Sequence, residues 1–178
     1  MIDLKGIFPP LPTAFDENQD LATSKMCDNI SRLNQFDLSG YVLLGSNGEL
    51  VNLSEEEKIK VYNDCRKAIP KSKLMIAGTG GQSTRETIRL TNAAADAGAD
   101  AALVLNPFYY KGLMTSEALQ QHYIEVADAS NIPIIAYNIP ANSGLDLDAN
   151  LIVKLSKHPN IIGLKDSGGN LTKMGDIR

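Results

Sequence analysis

Basic patches, metal-ligand clusters and long apolar runs are all missing from this sequence. There is no Trp, and 17 Lys+Arg stand against 21 Asp+Glu for a net charge of -4. A chain without a basic surplus lacks the electrostatic footprint of a nucleic-acid or anionic-membrane binder, which leaves a small molecule as the expected partner. No apolar stretch approaches the roughly 20 residues that a spanning helix needs. The opening Met1-Ile2-Asp3-Leu4-Lys5-Gly6 has no apolar secretory core. A cytoplasmic protein is expected, or a mitochondrial one if a targeting segment was removed. Cys27 and Cys65 fall in helix-like stretches without metal-ligand or CxxC spacing, so they read as reduced packing thiols. His122 and His158 are equally isolated and read as structural or surface residues. With no cluster of Cys, His and carboxylates, no metal or other cofactor is expected, and covalent chemistry on side chains alone is the coherent option.

What is present is an alternation of short β-branched runs with amphipathic stretches, the pattern of repeated βα units around a parallel sheet. Strands are predicted over residues 40–44, 74–77, 101–105, 134–138 and 161–165. A first, irregular strand is predicted over residues 6–11, where Pro9 and Pro10 withhold backbone donors. Ser54-Glu55-Glu56-Glu57 and Ser83-Thr84-Arg85-Glu86 fit the S-x-x-E capping box and open helices. Apolar residues at Met26, Ile30 and Leu33, and at Leu119, Tyr123, Val126 and Ala127, recur at helical spacing and need a sheet to cover. Gly98 suits a left-handed helix stop. About six such units fit in residues 1–178, read as a single, partial domain, and residues 170–178 look like a helix just begun. A closed barrel of eight units takes about 250 residues. The chain is therefore either part of a longer protein or a smaller open sheet; a doubly wound binding module, which would show a reversal in strand order, also stays open.

Three segments carry chemistry. In Ile161-Ile162-Gly163-Leu164-Lys165, strand periodicity places Ile161, Gly163 and Lys165 on one face. If that face is covered, desolvation favours the neutral amine, which can attack a carbonyl; the plain alternative is a solvated lysine at a strand end. In Ile134-Ile135-Ala136-Tyr137, Tyr137 shares a face with Ile135, either as a proton-transfer phenol or as ordinary core. In Gly45-Ser46-Asn47-Gly48-Glu49, a tight turn offers the N–H groups of Ser46 and Asn47 to an anion such as a carboxylate. By contrast, Ala77-Gly78-Thr79-Gly80-Gly81 lacks the lysine and the glycine spacing of nucleotide-binding loops.

Taken in order, Gly6-Ile7-Phe8-Pro9-Pro10, Gly45-Ser46-Asn47-Gly48-Glu49, Asn106-Pro107-Phe108-Tyr109, Tyr137-Asn138-Ile139-Pro140 and Gly163-Leu164-Lys165-Asp166 resemble the dihydrodipicolinate synthase and N-acetylneuraminate lyase superfamily over nearly the whole chain. Within it, Ser46-Asn47, Ala141-Asn142-Ser143-Gly144-Leu145-Asp146 and His158-Pro159-Asn160 are most similar to the 4-hydroxy-2-oxoglutarate aldolases. The resemblance implies an α/β fold, a (β/α)8 TIM barrel of which this chain covers about the first six units. It implies a homotetramer and a pyruvate-dependent class I aldolase acting on a 2-oxo acid. It also implies Lys165 as the Schiff-base amine, Tyr137 as the proton-transfer phenol, and Ser46 as a link from Tyr137 to a Tyr109 that reaches toward a neighbouring subunit. Ser46 and Asn47 would hold the pyruvyl carboxylate, with Asn142 and Ser167 further substrate-binding candidates. Where the lysine-pathway synthases of the superfamily carry Ser-Arg after the Tyr-Asn-Ile-Pro segment, this chain has Ala141-Asn142. The missing guanidinium puts that synthase role second.

Overall fold

The computed structural model describes residues 2–177. Five strands, β1 (Gly40–Leu43), β2 (Leu74–Gly78), β3 (Ala101–Leu105), β4 (Ile134–Asn138) and β5 (Ile161–Asp166), form one parallel sheet in the order β1-β2-β3-β4-β5. The connecting segments carry helices α1 (Thr23–Leu33), α2 (Glu55–Ala68), α3 (Thr84–Asp96), α4 (Ser116–Ala129), α5 (Pro140–Ser143), α6 (Ala149–Leu155) and α7 (Leu171–Asp176). Strands that pair strictly in chain order advance around a barrel, whereas a doubly wound sheet has a reversal point. None is present among the described residues, so the doubly wound alternative falls.

The proline-rich start behaves as its chemistry requires. Pro10 makes one parallel bridge to Val42, with Leu11 N–H donating to the Val42 carbonyl at 2.9 Å and Val42 N–H to the Pro9 carbonyl at 3.0 Å. Proline has no N–H to extend the ladder, so the first strand is reduced to this contact. β1 ends one residue earlier than predicted, because Leu44 takes a left-handed backbone with φ 52°.

Parallel sheets are covered on both faces. On the outer face, Tyr41, Leu43, Met75 and Ala77 pack with Met26 and Ile30 of α1 and Val61 and Tyr62 of α2. Ala102, Val104, Ile134 and Ala136 pack with Leu119, Tyr123 and Val126 of α4 and Leu151 and Leu155 of α6. The inner face gathers Val42, Ile76, Ala101, Leu103, Ile135 and Tyr137, with Ile2, Leu4 and Phe8 packed against them. Each large side chain so buried contributes about 1.5–3 kcal/mol.

Helix starts are fixed by side-chain caps. Ser54 and Glu57 form the reciprocal box predicted for α2, with Ser54 N–H donating to Glu57 Oε2 at 2.7 Å and Glu57 N–H to Ser54 Oγ at 3.2 Å. At α3 only half of the predicted box forms: Glu86 N–H donates to Ser83 Oγ at 3.2 Å. The Glu86 carboxylate instead lies over Gly81, where an added Cβ would come within 2.8 Å of it. Gly98, with φ 93°, follows α3 as expected. Residues 171–176 of the predicted last helix are helical, and Arg178 lies outside the described residues.

One predicted face is corrected. The register slips between Ile134 and Ile135, so that Ile134 pairs with Ile161 but Ile135 pairs with Gly163. The extra residue is a β-bulge, and a bulge inverts the alternation on one side of itself. Ile161 therefore joins the outer cluster, while Ile162 packs against the inner one. Gly163 and Lys165 remain the partners of inward-facing Ile135 and Tyr137. No helix among the described residues is long and apolar enough to cross a membrane.

Candidate active site

Tyr137 and Lys165 meet near the C-terminal ends of β4 and β5, where they are register partners. Tyr137 is buried. Lys165 Nζ lies 4.1 Å from the centroid of its ring, within cation–π range. Lys165 is only half-buried, not enclosed as the apolar strand suggested. The physical reason is that β5 ends the sheet among the described residues, so cover comes from one neighbouring strand.

The loop after β1 supplies the third member. The turn at Leu44 redirects the chain into a short 3-10 helix, Ser46–Gly48, that places Ser46 Oγ 3.2 Å from the Tyr137 hydroxyl. Burial pushes the Tyr137 phenol up. Hydrogen bonds with Ser46 and Ser167, together with the neighbouring Lys165 charge, more than offset this and hold it below the ordinary phenol value. Ser46 and Asn47 open the 3-10 helix, and among the described residues their backbone N–H groups have no acceptor. Both residues are exposed, so those donors can reach a bound anion.

A cavity of about 370 Å³ opens beside these groups. Ser46, Glu49, Tyr137 and Asn142 supply its polar wall, and Leu103, Leu105 and Phe108 much of its apolar one. Lys165 is not part of the wall; Tyr137 is shared between the cavity and the lysine contact. Asn142, on α5, is thus brought to the site. Ser167 follows β5 and is tied to β4 through its N–H, which donates to the Asn138 carbonyl at 2.8 Å.

Tyr109 is not brought there. It is 74% exposed and meets Tyr110 edge-on with ring centroids 5.0 Å apart. Its backbone N–H donates to Gln82 Oε1 at 2.9 Å, which turns the loop after β3 toward α3. Within the chain Ser46 is bonded to Tyr137, and the link to a Tyr109 that reaches toward a neighbouring subunit is not made inside one chain.

Two further features lie beyond the expected site residues. Glu49, in a left-handed conformation with φ 55°, places a carboxylate in the cavity wall. Asn138 and Asp166, one residue beyond Tyr137 and Lys165, join the buried Lys173 and the solvent-exposed Asp146 in one polar cluster. Asn138 and Asp166 were legible in principle, because polar residues at consecutive strand ends on the outer face of a buried sheet need partners.

A profile of the dihydrodipicolinate synthetase family matches residues 3–178. The chain belongs to this family. It is 44% identical over 177 residues to a probable mitochondrial 4-hydroxy-2-oxoglutarate aldolase of Emericella nidulans, covering 97% of this chain and 57% of that protein. It is 38% identical to a 4-hydroxy-tetrahydrodipicolinate synthase of Methanothrix thermoacetophila, again with 97% and 57% covered. Among solved structures, the dihydrodipicolinate synthase of Acinetobacter baumannii complexed with pyruvate superposes with a TM-score of 0.91 at 36% identity, covering 96% of this chain and 58% of that one. The chain thus spans a little over half the length of these relatives, and its sheet is the corresponding part of the family's α/β barrel.

Proposed function

We propose that the protein is a pyruvate-dependent class I aldolase that cleaves 4-hydroxy-2-oxoglutarate to pyruvate and glyoxylate through an imine on Lys165. The observation that carries this reading is the meeting of a lysine, a phenol and a serine hydroxyl at the C-terminal ends of three strands of one parallel sheet, where barrel active sites lie. The family membership supports it, as does the name of the Emericella relative.

In this mechanism the neutral amine of Lys165 adds to the C2 carbonyl, and loss of water with uptake of one proton from solvent gives a protonated imine. The substrate carboxylate is held by the backbone N–H groups of Ser46 and Asn47. Tyr137, as its phenolate, takes the C4 hydroxyl proton while the C3–C4 bond breaks, the electron pair passes into the imine, and glyoxylate leaves. The enamine is protonated at C3 and hydrolysed, which frees pyruvate and the amine. A phenol held below its ordinary value suits a group that must accept and return a proton. Asn142 and Ser167 orient the rest of the substrate.

In the assembled protein, a homotetramer under this reading, the exposed Tyr109 reaches toward a neighbouring subunit's site. The compartment is that of the Emericella relative, the mitochondrion, or else the cytoplasm. The second reading is 4-hydroxy-tetrahydrodipicolinate synthase, favoured by the Methanothrix relative and opposed by Asn142 where a carboxylate-binding arginine was expected. A third is a catalytically silent partial barrel, favoured by the half-exposed Lys165.

Borohydride reduction in the presence of pyruvate, followed by peptide mapping, tests the imine, and glyoxylate release tests the substrate. An adduct elsewhere than Lys165, or none, overturns the mechanism. An adduct without glyoxylate release overturns the substrate but keeps the class. Turnover by the 178-residue chain alone excludes the silent reading.

A further inference from the structure

Behind the inward pair Tyr137 and Lys165 stands an outward pair. Successive strand residues point to opposite faces, so Asn138 and Asp166, themselves register partners, lie one step on and on the other side of the sheet. Asn138 is fully buried. Its Nδ2 donates to Asp146 Oδ1 at 2.7 Å and to Asp166 Oδ2 at 2.8 Å, and its Oδ1 accepts from Leu147 N–H at 3.0 Å. Both carboxylates also face one ammonium. Lys173, on α7 and only 6% exposed, places Nζ 2.5 Å from Asp146 Oδ1 and 3.0 Å from Asp166 Oδ2. Asp166 Oδ1 accepts from Gly168 N–H at 2.7 Å, which closes the turn after β5.

Two carboxylates converging on one amide repel each other unless a cation stands between them. Lys173 is that cation. Burial alone would push its pKa down, but the hydrogen bonds and charges of Asp146 and Asp166 outweigh burial and raise it. Asp166 shows the reverse balance: burial pushes it up, while Asn138, Lys173 and the Gly168 N–H bring it down below the ordinary carboxyl value.

We infer that Lys173 is a positioning residue for the Tyr137 and Lys165 pair: through Asp166 and Asn138 it clamps the ends of β4 and β5 in the register that sets the lysine ammonium over the tyrosine ring. Without it, the enclosed Asp166 carboxylate, 5% exposed, is left with no counter-charge beside the solvent-facing Asp146 on the same Asn138 amide, and the two strand ends part or slide. Only the catalytic consequence of this clamp rests on the aldolase reading; the geometric one does not. The groups that face the Tyr137 hydroxyl are Lys165, Ser46 and Ser167, and none of them touches Lys173 directly.

The test uses the purified full-length protein with Lys173→Met and Lys173→Arg, and two readouts. One is the titration of the Tyr137 phenol by NMR with 13Cζ-labelled tyrosine, assigned through Tyr137→Phe. The other is the rate of borohydride trapping of pyruvate. Lys173→Met is expected to move the Tyr137 titration upward by about one pH unit, as the lysine charge drifts from the ring, and to slow trapping by about tenfold. Lys173→Arg, which can still bridge two carboxylates, is expected to restore both. Should Lys173→Met fail to fold, Lys173→Gln, which keeps a polar head group but no charge, takes its place, and the same readouts apply. A residue that only stabilised the fold would lower the unfolding midpoint and leave the Tyr137 titration in place; an unmoved titration in a folded variant lacking the ammonium overturns the inference. Failure of the unaltered protein to trap pyruvate would overturn the aldolase reading instead, while the titration still decides the clamp.

Discussion

Tyr137 and Lys165 pair residue to residue across β4 and β5, with the lysine nitrogen 4.1 Å from the centroid of the tyrosine ring. The contact divides the tyrosine into two parts: the ring face holds the lysine, and the hydroxyl, 3.2 Å from Ser46 Oγ, is the part able to move a proton.

Tyr137→Phe separates those parts, since it keeps the ring and deletes the hydroxyl. Under the proposed mechanism, cleavage is expected to fall by about 10²–10⁴-fold, while borohydride trapping of pyruvate on Lys165 persists. Loss of trapping together with cleavage, in a variant that unfolds at the usual temperature, would show that the hydroxyl is needed before the imine forms. Unchanged cleavage would remove Tyr137 from the mechanism.

His122 predicts an acid limb in stability. It is buried on α4, with Nδ1 2.9 Å from Thr84 Oγ1 and Nε2 without a partner among the described residues. Burial pushes its pKa down to about 4, against an opposing pull from Glu125. The unfolded chain, with an ordinary value of about 6.5, binds the proton more readily. The contribution is therefore fully present above pH 6.5 and is lost as pH falls toward 4, by about 3 kcal/mol in all. Urea unfolding at pH 7 and at pH 4.5 checks this, and His122→Gln is expected to flatten the difference.

The outline of the fold was legible because βα repetition is written in local chemistry. The five strands, the Ser54 cap and the Gly98 stop each follow from a few neighbouring residues. Lys165, Tyr137 and Ser46 were legible for the same reason, each lying at or just beyond a strand end. The bulge at Ile161 and Ile162 was not, since nothing local distinguishes a register slip from an unbroken apolar strand. Nor were the exposure of Tyr109 and the choice of Asp146 and Lys173 as partners for Asn138 and Asp166, which depend on how separate loops close over one another. The face of Ile161 was misread by strict periodicity, while the inward direction of Lys165 survived because the bulge precedes it.

Gly78 marks where the floor of the site is tightest. A Cβ there would come within 1.9 Å of the Leu44 carbonyl oxygen, backbone of the turn that leads to Ser46. Tyr62 holds the same glycine from behind, its hydroxyl donating to the Gly78 carbonyl at 2.5 Å. Gly78→Ala is expected to destabilise the protein by about 1–3 kcal/mol through overpacking and to slow trapping at Lys165 by shifting the Ser46 loop. Gly112→Ala, where an added Cβ meets nothing within 4 Å, is the control and is expected to be neutral. Equal unfolding midpoints for the two variants would argue that the turn yields without cost.

Asn142 tests the choice between the two substrate readings. It lies in the cavity wall with Ser46, Glu49 and Tyr137, and no Lys or Arg shares that wall. Asn142→Arg adds a planar, bidentate donor for carboxylates, with Glu49 in the same wall as a competitor for that guanidinium. Under the proposed function the variant is expected to shift the balance between glyoxylate release and pyruvate condensation with a longer carboxylate-bearing aldehyde, such as aspartate semialdehyde, by about tenfold toward condensation, since one charge-assisted contact is of that size. The ratio is the readout because a distorted site lowers both rates and leaves their quotient alone, whereas a specificity contact must change the quotient. A quotient that stays put in a folded, imine-forming variant would place the discrimination elsewhere in the cavity and remove the main reason for ranking the aldolase above the synthase.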